Sequence, residues 1–351
     1  MCIRDSLSAG RSDFEFAAGT APAAGCCLFT SGSTGASKGV LIAADDLYHR
    51  ARHEIAAFGL TEQDRIMNLL PFSFDVGLNQ ITSTLLAGAE LVLTASWLPR
   101  DMHSAIAEAG ITGFSGVPTI WDDYLAADYA LGAGADQHRL RYVTVSGGSL
   151  PPARFEALRD AAPGVSVIKT YGQTETFRTT ALLPAHPADK THSVGAAFGD
   201  VQIAVVDETL APRPPDVIGE VIHAGLGVMD GYLDGSGADK LVDLGDRLNA
   251  PIMSRAIRTG DLGTLDCDGF LHLKGRRDAM VKIHGNRVYP EEVQALIRTL
   301  DGVVEAEVLP LPAETGSEPT LAAFVTAAGL LPPADFDRRL GAVLPAYMLP
   351  G

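Results

Sequence analysis

The chain of 351 residues is long enough for about two domains. Hydrophobic residues make up 46% and charged residues 20%, a balance that allows a substantial core and excludes a chain disordered by composition. The formal net charge of −16 argues against unspecific binding to nucleic acid or to anionic membranes.

No apolar run reaches the roughly 18–20 residues of a membrane helix, so we expect no membrane span. The N-terminus lacks the apolar region of a secretory signal. The cysteines form neither a Cys-x-x-Cys pair nor a His-Cys cluster, which argues against structural zinc and against a disulfide scaffold. They are Cys2, Cys26, Cys27 and Cys267. We therefore predict a cytoplasmic protein.

Residues 1–20 are rich in Ser, Ala and Gly without a period, and we interpret them as a tail or a cloning remnant. Between Ala24 and about Lys169, runs of strand length alternate with helical patterns, which predicts α/β layers around a mostly parallel sheet. The predicted strands are Cys26–Phe29, Ile66–Leu70, Glu90–Thr94, Arg141–Val145 and Val165–Lys169. The predicted helices are Asp46–Phe58, Val76–Ala87, Met102–Ala109, Thr119–Ala127 and Pro152–Ala161.

After about Val194 strand patterns dominate and predict a β-rich subdomain. Two of these strands flank Cys267-Asp268-Gly269, a short turn that fits a hairpin. The predicted strands are Val201–Asp207, Glu220–His223, Gly263–Asp266 and Phe270–Lys274.

A compact β-β-α-β pattern follows and predicts a small α+β domain. We place the boundary near Asp278, with a core over residues 21–277 and the small domain over residues 278–351. The predicted elements are strands at Met280–His284, Val303–Leu309 and Thr320–Thr326 and a helix at Pro290–Leu300.

The densest motif is Thr30–Gly39, with the sequence TSGSTGASKG, which follows a predicted strand. Its glycines allow close backbone approach to a ligand, its hydroxyls and N–H groups suit phosphate oxygens, and Lys38 adds a positive charge. The Walker A pattern cannot be fitted here. The alternative interpretation is a Ser/Gly-rich surface loop.

The same loop contains Gly-Ala-Ser-Lys-Gly, which matches the G-x-S-x-G nucleophile elbow and would make Ser37 a hydrolase nucleophile. The elbow needs an immediate strand-to-helix turn, whereas Val40–Ile42 has the pattern of a second strand. No His or Asp elsewhere stands out as its partner.

Three further motifs carry candidate ligand-binding groups. In Tyr171–Glu175 a ring can stack on a base, a Thr hydroxyl can reach a phosphate and a carboxylate can hold Mg²⁺; an ordinary loop before a helix is the alternative. In Arg258–Leu262, Asp261 can accept hydrogen bonds from ribose hydroxyls, or it is a turn residue. Gly275–Gly285 combines cations with a candidate hinge, or it is a solvated linker.

In this order, the motifs resemble those of the adenylate-forming superfamily of AMP-dependent synthetases and ligases. This superfamily includes acyl-CoA synthetases, luciferases and nonribosomal peptide adenylation domains. The matching segments run from about Ala24 to the end of the chain. They are Leu28–Val40, Phe72–Asp75, Ser146–Gly148, Tyr171–Glu175, Gly219–Val221 with Gly231-Tyr232, Arg258–Leu262, Gly275–Gly285 and Leu344–Met348.

The resemblance implies a role for each matching residue. The loop residues Thr30, Ser31, Gly32, Ser33, Thr34, Gly35 and Lys38 would handle the β- and γ-phosphates of ATP. The residues Gly147, Gly148, Tyr171 and Gly172 would hold adenine. Thr174 would contact the α-phosphate, Glu175 would bind Mg²⁺, and Lys38, Thr174 and Glu175 would be catalytic. Asp261 and Arg276 would hold the ribose, and Asp278 would be the hinge of the mobile C-terminal domain.

Family members carry a catalytic Lys shortly after the L-P-x-Y-M motif, a position beyond Gly351, and further chain before the phosphate loop. The resemblance therefore implies a chain truncated at both ends, with reduced or no adenylating activity.

The implied reaction converts a carboxylic acid and ATP to an acyl-adenylate and pyrophosphate, and then transfers the acyl group to a thiol of CoA or of a carrier protein. Asp75 lies where amino-acid-activating members bind the α-ammonium, although it could instead cap the helix that follows. Arg287–Val293 resembles the acyl-CoA ligase pattern, and Phe72–Gln80 and Gly172–Arg178 resemble an exosortase-associated group of bacterial acyl-CoA ligases. We favour an acyl-CoA ligase. The alternatives are an amino-acid-activating domain and a truncated nucleotide-binding module without full activity.

Overall fold

The computed structural model of the chain describes residues 25–30, 38–94, 96–131, 139–148, 150–244, 255–277, 281–283, 286–311, 320–329 and 332–350. The helices of this part of the chain are α1 (Ala44–Phe58), α2 (Asp75–Leu86), α3 (Pro99–Glu108), α4 (Pro118–Ala126), α5 (Pro152–Asp160), α6 (Pro290–Ile297) and α7 (Pro333–Val343). Short 3₁₀ turns lie at Ala188–Lys190 and Ala346–Met348.

The first nine strands are β1 (Cys26–Thr30), β2 (Lys38–Ile42), β3 (Arg65–Asn68), β4 (Glu90–Leu93), β5 (Gly113–Gly116), β6 (Tyr142–Val145), β7 (Ser166–Gln173), β8 (Phe177–Leu182) and β9 (Ala196–Ala197). The remaining strands are β10 (Gln202–Val206), β11 (Gly219–Ala224), β12 (Gly231–Tyr232), β13 (Leu241–Val242), β14 (Ala256–Leu265), β15 (Leu271–Arg276), β16 (Val281–Ile283), β17 (Asn286–Val288), β18 (Val303–Leu311) and β19 (Thr320–Ala327).

A seven-stranded sheet carries the α/β layer that the alternating pattern predicts. Its strand order is β4-β3-β5-β6-β7-β8-β9. The contacts from β4 to β7 are parallel and the last two are antiparallel. Every residue of β5, β6 and β8 is buried, as expected for strands covered on both faces. The predicted α/β fold class is confirmed, and each predicted helix of this region begins and ends within three residues of its expected bounds.

Close approach between neighbouring strands requires a glycine at one point of this sheet. Gly113 pairs with Tyr142 across β5 and β6. A Cβ atom at Gly113 would lie 2.1 Å from the Tyr142 ring, closer than any real contact. The ring therefore occupies the space that a larger residue would need.

The core beneath the sheet contains the largest fully buried side chains of the described residues, among them Phe114, Trp121, Tyr124 and Phe155. The Trp121 and Phe114 rings lie 5.3 Å apart, and Trp121 Nε1 donates a hydrogen bond of 3.2 Å to the carbonyl oxygen of Thr144. The indole thus contributes both apolar burial and a satisfied polar group.

A small antiparallel sheet of order β1-β2-β12 flanks the predicted phosphate loop. Thr30 pairs with Lys38, so β1 and β2 form the two arms that enclose residues 31–37. The expectation that Val40–Ile42 forms a second strand is confirmed. Tyr232 of β12 pairs with Val40.

The β-rich region forms a five-stranded sheet with the path β10-β11-β14-β13, and β15 pairs with β14. The predicted hairpin is confirmed, because β14 and β15 flank the turn at Cys267–Gly269. Asp266 fixes this turn: its carboxylate oxygen accepts hydrogen bonds from the backbone N–H groups of Asp268 (3.0 Å) and Phe270 (2.9 Å).

The chain divides into two compact units. The first contains residues 1–204, 222–259 and 266–271, and the second contains residues 205–221, 260–265 and 272–351. In the second unit α6 covers a core that includes Val288, Val293 and Ile297, with β18 and β19 paired antiparallel. The predicted helix ends earlier than expected, at Ile297. The predicted boundary at Asp278 and the predicted tail at residues 1–20 lie outside the described residues.

None of the helices in the described ranges is long and apolar enough to cross a membrane. The cysteines that the structure describes, Cys26, Cys27 and Cys267, are free thiols.

His223 of β11 is a buried imidazole whose tautomer is fixed by its neighbours. Its Nε2 atom lies 2.8 Å from the carbonyl oxygen of Leu226, which can only accept, so Nε2 carries the proton. Its Nδ1 atom then accepts from the hydroxyl of Thr179 at 3.0 Å. Burial lowers the pKa of His223 to about 3.

We expect replacement of Trp121 by Ala to lower the free energy of unfolding by about 3–5 kcal/mol, because it removes a fully buried ring and leaves a cavity. The matched control is Trp97→Ala, since Trp97 is 61% exposed and its loss should change the free energy by no more than about 0.5 kcal/mol. Urea unfolding followed by circular dichroism measures both. Equal effects of the two substitutions would contradict this packing.

We expect His223 to make the protein less stable as the pH falls from 6.5. In this range the unfolded chain takes up a proton at a pKa of about 6.5, whereas the folded imidazole stays neutral down to about pH 3. Above pH 6.5 the imidazole is mostly neutral in both the folded and the unfolded chain, so His223 costs little stability there. At pH 5 this one group should lower the free energy of unfolding by about 2 kcal/mol.

The measurement is urea unfolding of the wild type and of His223→Gln at pH 7 and pH 5, with the difference between the two proteins isolating this residue. If the wild type loses no more stability than the Gln variant on acidification, the neutral buried imidazole is wrong.

Candidate functional site

A cavity of about 190 Å³ opens in the first unit where β6 and β7 end. Both strands are parallel and in register from Tyr142 with Ser166 to Val145 with Lys169, so the residues after Val145 and after Lys169 meet at one edge of the sheet. Five residues expected at a site line this cavity. They are Asp75, Gly147, Tyr171, Gly172 and Thr174.

Hydroxyl groups link the two strands at this edge of the sheet. The Oγ atom of Ser146 lies 2.6 Å from Oγ1 of Thr170, which also donates to the carbonyl oxygen of Val145 at 3.3 Å. These bonds join Val145 at the end of β6, and Ser146 directly after it, to β7, and they fix the backbone that carries Gly147 and Tyr171.

Gly147 has a backbone angle φ of +76°, in the region that favours glycine. A Cβ atom there would lie 3.0 Å from Cζ of Phe74. Phe74 and Gly147 thus approach each other closely on the cavity wall. Gly148 does not line the cavity among the described residues; a Cβ atom at this position would contact Pro118 at 3.1 Å.

Asp75 stands at the first position of α2 and is only 7% exposed. Its Oδ1 atom accepts a hydrogen bond of 2.9 Å from the backbone N–H of Val76. The helix begins one residue earlier than expected, with Phe74 at the N-cap, so the capping alternative for Asp75 is corrected: it supports the first turn without being the cap residue. Burial raises the pKa of Asp75, while the N–H of Val76 and then Arg178 and Arg50 oppose that shift.

No cation of the described residues lies within ion-pair distance of Asp75, although two guanidinium groups are buried nearby. Arg178 donates from Nη1 to Oε1 of Glu54 at 2.9 Å, and these side chains are 7% and 2% exposed. Arg50 donates from Nη1 to the carbonyl oxygen of Thr176 at 3.1 Å. Burial lowers the pKa of Arg50 to about 9, so it remains charged near pH 7.

Asn79 and Arg178 also line the cavity, and neither was predicted there from the sequence. Asn79 lies four residues after Asp75, so the helical period places both on one face of α2, and this spacing could have identified it. Its Oδ1 atom is buried and has no hydrogen-bond partner in the part of the chain that the structure describes. Arg178 carries no such signal in the sequence, because β8 reaches the cavity only through its antiparallel pairing with β7.

Glu175 lies beside the cavity wall and is 12% exposed. Its Oε1 atom accepts a hydrogen bond of 2.6 Å from the hydroxyl of Tyr232, and Nζ of Lys240 lies 3.4 Å from the same oxygen. Lys38 Nζ is 5.0 Å from the centroid of the Tyr232 ring, so the structure brings Lys38 and Glu175 to the same ring.

No group of three or more His, Cys, Asp or Glu side chains within the described ranges could hold a metal ion by itself. A single carboxylate such as Glu175 nevertheless suits Mg²⁺, which proteins commonly bind through one or two carboxylates together with substrate phosphates. The donor set therefore fits a metal that arrives with a nucleotide.

Thr30 and Lys38 stand at the facing ends of β1 and β2. The loop residues between them, Ser31, Gly32, Ser33, Thr34, Gly35 and Ser37, lie outside the described residues, as does the predicted hinge at Asp278.

Asp261 and Arg276 form a pair in the second unit. Nη1 of Arg276 donates to Oδ1 of Asp261 at 3.1 Å, and the Asp261 side chain is 11% exposed. Gly260 precedes it with φ of +75°, and a Cβ atom there would lie 3.1 Å from Nη2 of Arg276. The predicted ribose-binding residues are thus brought together.

A family model described as AMP-binding enzyme matches residues 20–233, more than half of the chain. The match includes the predicted phosphate loop, the residues that line the cavity, Glu175 and Tyr232.

Curated relatives include the dimodular nonribosomal peptide synthase of Bacillus subtilis (strain 168), 30% identical over 327 residues, which are 92% of this chain and 13% of that protein. Phosphinothricin tripeptide synthetase PhsB of Streptomyces viridochromogenes is 33% identical over 334 residues, which cover 92% of this chain and 27% of that protein. The chain spans less than a third of the length of either relative.

Among solved structures, the o-succinylbenzoate CoA synthetase MenE of Bacillus subtilis, in complex with its acyl-adenylate intermediate, superposes with a TM-score of 0.79 at 26% identity, covering 92% of this chain and 63% of that one. The same enzyme in complex with ATP and magnesium ion gives a TM-score of 0.77 at 25% identity, covering 92% and 64%. ATP-bound MatB of Rhodopseudomonas palustris gives 0.79 at 25% identity, covering 92% and 62%.

Proposed function

The chain belongs to the AMP-binding enzyme family, and from this premise we propose that it activates a carboxylic acid with ATP. A carboxylate oxygen of the acid attacks the α-phosphorus, the bond between the α-phosphorus and the bridging oxygen breaks, and pyrophosphate leaves. The product is an acyl-adenylate. The thiol sulfur of CoA or of a carrier-protein phosphopantetheine then attacks the acyl carbon, AMP leaves, and the thiol proton passes to solvent.

One observation carries this proposal. The cavity at the ends of β6 and β7 brings an aromatic ring, a threonine hydroxyl and a buried carboxylate together, from Tyr171, Thr174 and Asp75. The ring suits a nucleotide base, the hydroxyl suits a phosphate, and the carboxylate suits a positively charged group of the substrate. The solved relatives with ATP or an acyl-adenylate bound support the same assignment.

Under this proposal, different side chains serve different parts of the reaction. Lys38 and the loop after Thr30 hold the phosphates that leave, Thr174 orients the α-phosphate, and Glu175 holds the metal. Mg²⁺ bound with ATP supplies positive charge against the charge that grows on the phosphate oxygens. Because such reactions depend on positioning and charge, each of these side chains contributes without forming a covalent bond to the substrate.

We infer further that the acid is an amino acid, which revises the acyl-CoA ligase favoured from the sequence. Asp75 is a buried carboxylate on the cavity wall without a cationic partner among the described residues, and an α-ammonium group would supply one. The nonribosomal peptide synthetases among the relatives support this choice.

An acyl-CoA ligase that takes an uncharged acyl chain is the second candidate. Burial raises the pKa of Asp75, which disfavours the ionised form that an ammonium group would pair with. The acyl-CoA ligase pattern at Arg287–Val293 and the CoA synthetases among the solved relatives support this candidate.

We expect Lys38→Met and Glu175→Gln each to slow acid-dependent exchange of pyrophosphate into ATP by about 10²–10³-fold, because each removes a charge that stabilises the reacting phosphates. The matched control is Glu62→Gln, which changes an exposed carboxylate. Thermal melts of all variants should stay cooperative. Unchanged exchange in Lys38→Met and Glu175→Gln would contradict the proposed site.

We expect Asp75→Asn to lower activation of the preferred amino acid by about a hundredfold, because it removes the counter-charge of the ammonium group. The asparagine oxygen can still accept the N–H of Val76, so α2 keeps its first turn. Asp45→Asn is the matched control, an exposed aspartate in the first turn of α1.

The measurement is hydroxylamine trapping of the adenylate, with each amino acid compared with its analogue that lacks the amino group. Equal activation of both analogues by the wild type, with no effect of Asp75→Asn, would select the acyl-CoA ligase instead.

A further inference from the structure

Three side chains form a hydrogen-bonded chain that ends at the carboxylate assigned to the metal. Lys240 Nζ donates to the hydroxyl oxygen of Tyr232 at 2.9 Å, and the Tyr232 hydroxyl donates to Oε1 of Glu175 at 2.6 Å. Lys240 Nζ also lies 3.4 Å from that same Oε1. One ammonium group therefore faces both the carboxylate and its tyrosine partner.

The backbone around Lys240 is fixed on both sides. Its N–H donates to the carbonyl oxygen of Gly237 at 3.0 Å, and its own carbonyl oxygen accepts from the N–H of Arg258 at 2.8 Å. The next residue, Leu241, pairs with Ile257 in β13 and β14. The Lys240 side chain is 33% exposed, so its ammonium group can leave Glu175 for solvent without breaking the backbone contacts.

Tyr232 is held equally firmly. It pairs with Val40 in the strand that follows the phosphate loop. A Cβ atom at Gly237, where φ is +76°, would lie 2.4 Å from the tyrosine ring, so the ring rests directly against a glycine. Lys38 and Lys240 lie with Nζ 5.0 and 5.4 Å from its centroid. Both lysines thus lie beside the ring whose hydroxyl donates to Glu175.

The ammonium group of Lys240 compensates the negative charge of the Glu175 carboxylate. Glu175 is 12% exposed, and an ionised carboxylate at that depth is costly without a counter-charge. Lys240 supplies that charge in this structure. A divalent metal on the same carboxylate would stand within a few ångströms of the ammonium group, where two positive charges repel strongly.

We propose that Lys240 is a placeholder cation for Glu175: it neutralises the carboxylate in the absence of nucleotide and gives up that contact when a divalent metal arrives with ATP. Lys240 is then a positioning residue that acts through Glu175, and Tyr232 keeps the carboxylate oriented throughout. This inference rests on the proposed function, because it takes Glu175 as the metal ligand.

The test measures metal dependence of nucleotide binding without turnover. A non-hydrolysable ATP analogue is added at fixed concentration to the 351-residue chain, and the rise in melting temperature is recorded over a Mg²⁺ titration. For Lys240→Met we expect the half-maximal rise at roughly three- to tenfold lower Mg²⁺ than for the wild type. Lys240→Arg, which keeps the charge, should follow the wild type.

Two controls separate charge from structure. Lys240→Gln repeats the loss of charge with a polar side chain, in case the methionine variant does not melt cooperatively. Lys274→Met removes a lysine from β15 and should leave the Mg²⁺ dependence unchanged. In the double variant Lys240→Met with Glu175→Gln, the lower Mg²⁺ requirement of Lys240→Met should disappear, since the metal then has no carboxylate to bind.

Unchanged Mg²⁺ dependence in both neutral Lys240 variants would overturn the placeholder role alone. Weaker analogue binding by these variants at saturating Mg²⁺ would also overturn it, because Lys240 would then be a phosphate ligand. If the analogue fails to stabilise the wild type at any Mg²⁺ concentration, the proposed function fails and this inference fails with it.

Discussion

The parallel pairing of β6 with β7 is the constraint on which the site depends. Two strands that run side by side in register must end at the same edge of the sheet, and their following residues must share one space. The bond between Ser146 and Thr170 ties the two ends together. The ring of Tyr171, the hydroxyl of Thr174 and the glycine turn after β6 therefore meet although they lie far apart in sequence.

The charged side chains at this edge of the sheet differ in how their charges are compensated. On the cavity wall, Arg178 is paired with the buried Glu54, which leaves Asp75 as the carboxylate that lines the cavity. Beside the cavity, Glu175 is shared between Tyr232 and Lys240. A buried charge is stable only when it is compensated, so each carboxylate indicates what kind of cation the site accepts. Under the proposed function, Asp75 would face the ammonium group of the substrate and Glu175 the metal that arrives with the nucleotide.

Most of the fold of the first unit was predictable from the sequence, because hydrophobic period and turn residues are local signals. The helix bounds at α1, α2 and α5 differ from expectation by one or two residues. The hairpin around Cys267–Gly269 and the second strand after the phosphate loop were also predictable. The helix at Pro290 was expected to reach Leu300 but ends at Ile297, since the end of a helix depends on what packs against it.

The sequence by itself determined the α/β class and the nucleotide motifs, because these depend on residues that are neighbours in the chain. It left the role of Asp75 open between a helix cap and a substrate ligand. Only the tertiary structure decided that Phe74 is the cap, that Arg178 reaches the cavity and that Lys240 reaches Glu175. The Arg178–Glu54 and Lys240–Glu175 contacts join residues 124 and 65 positions apart. Only the folding of the whole chain brings these residues together, so no local pattern encodes them.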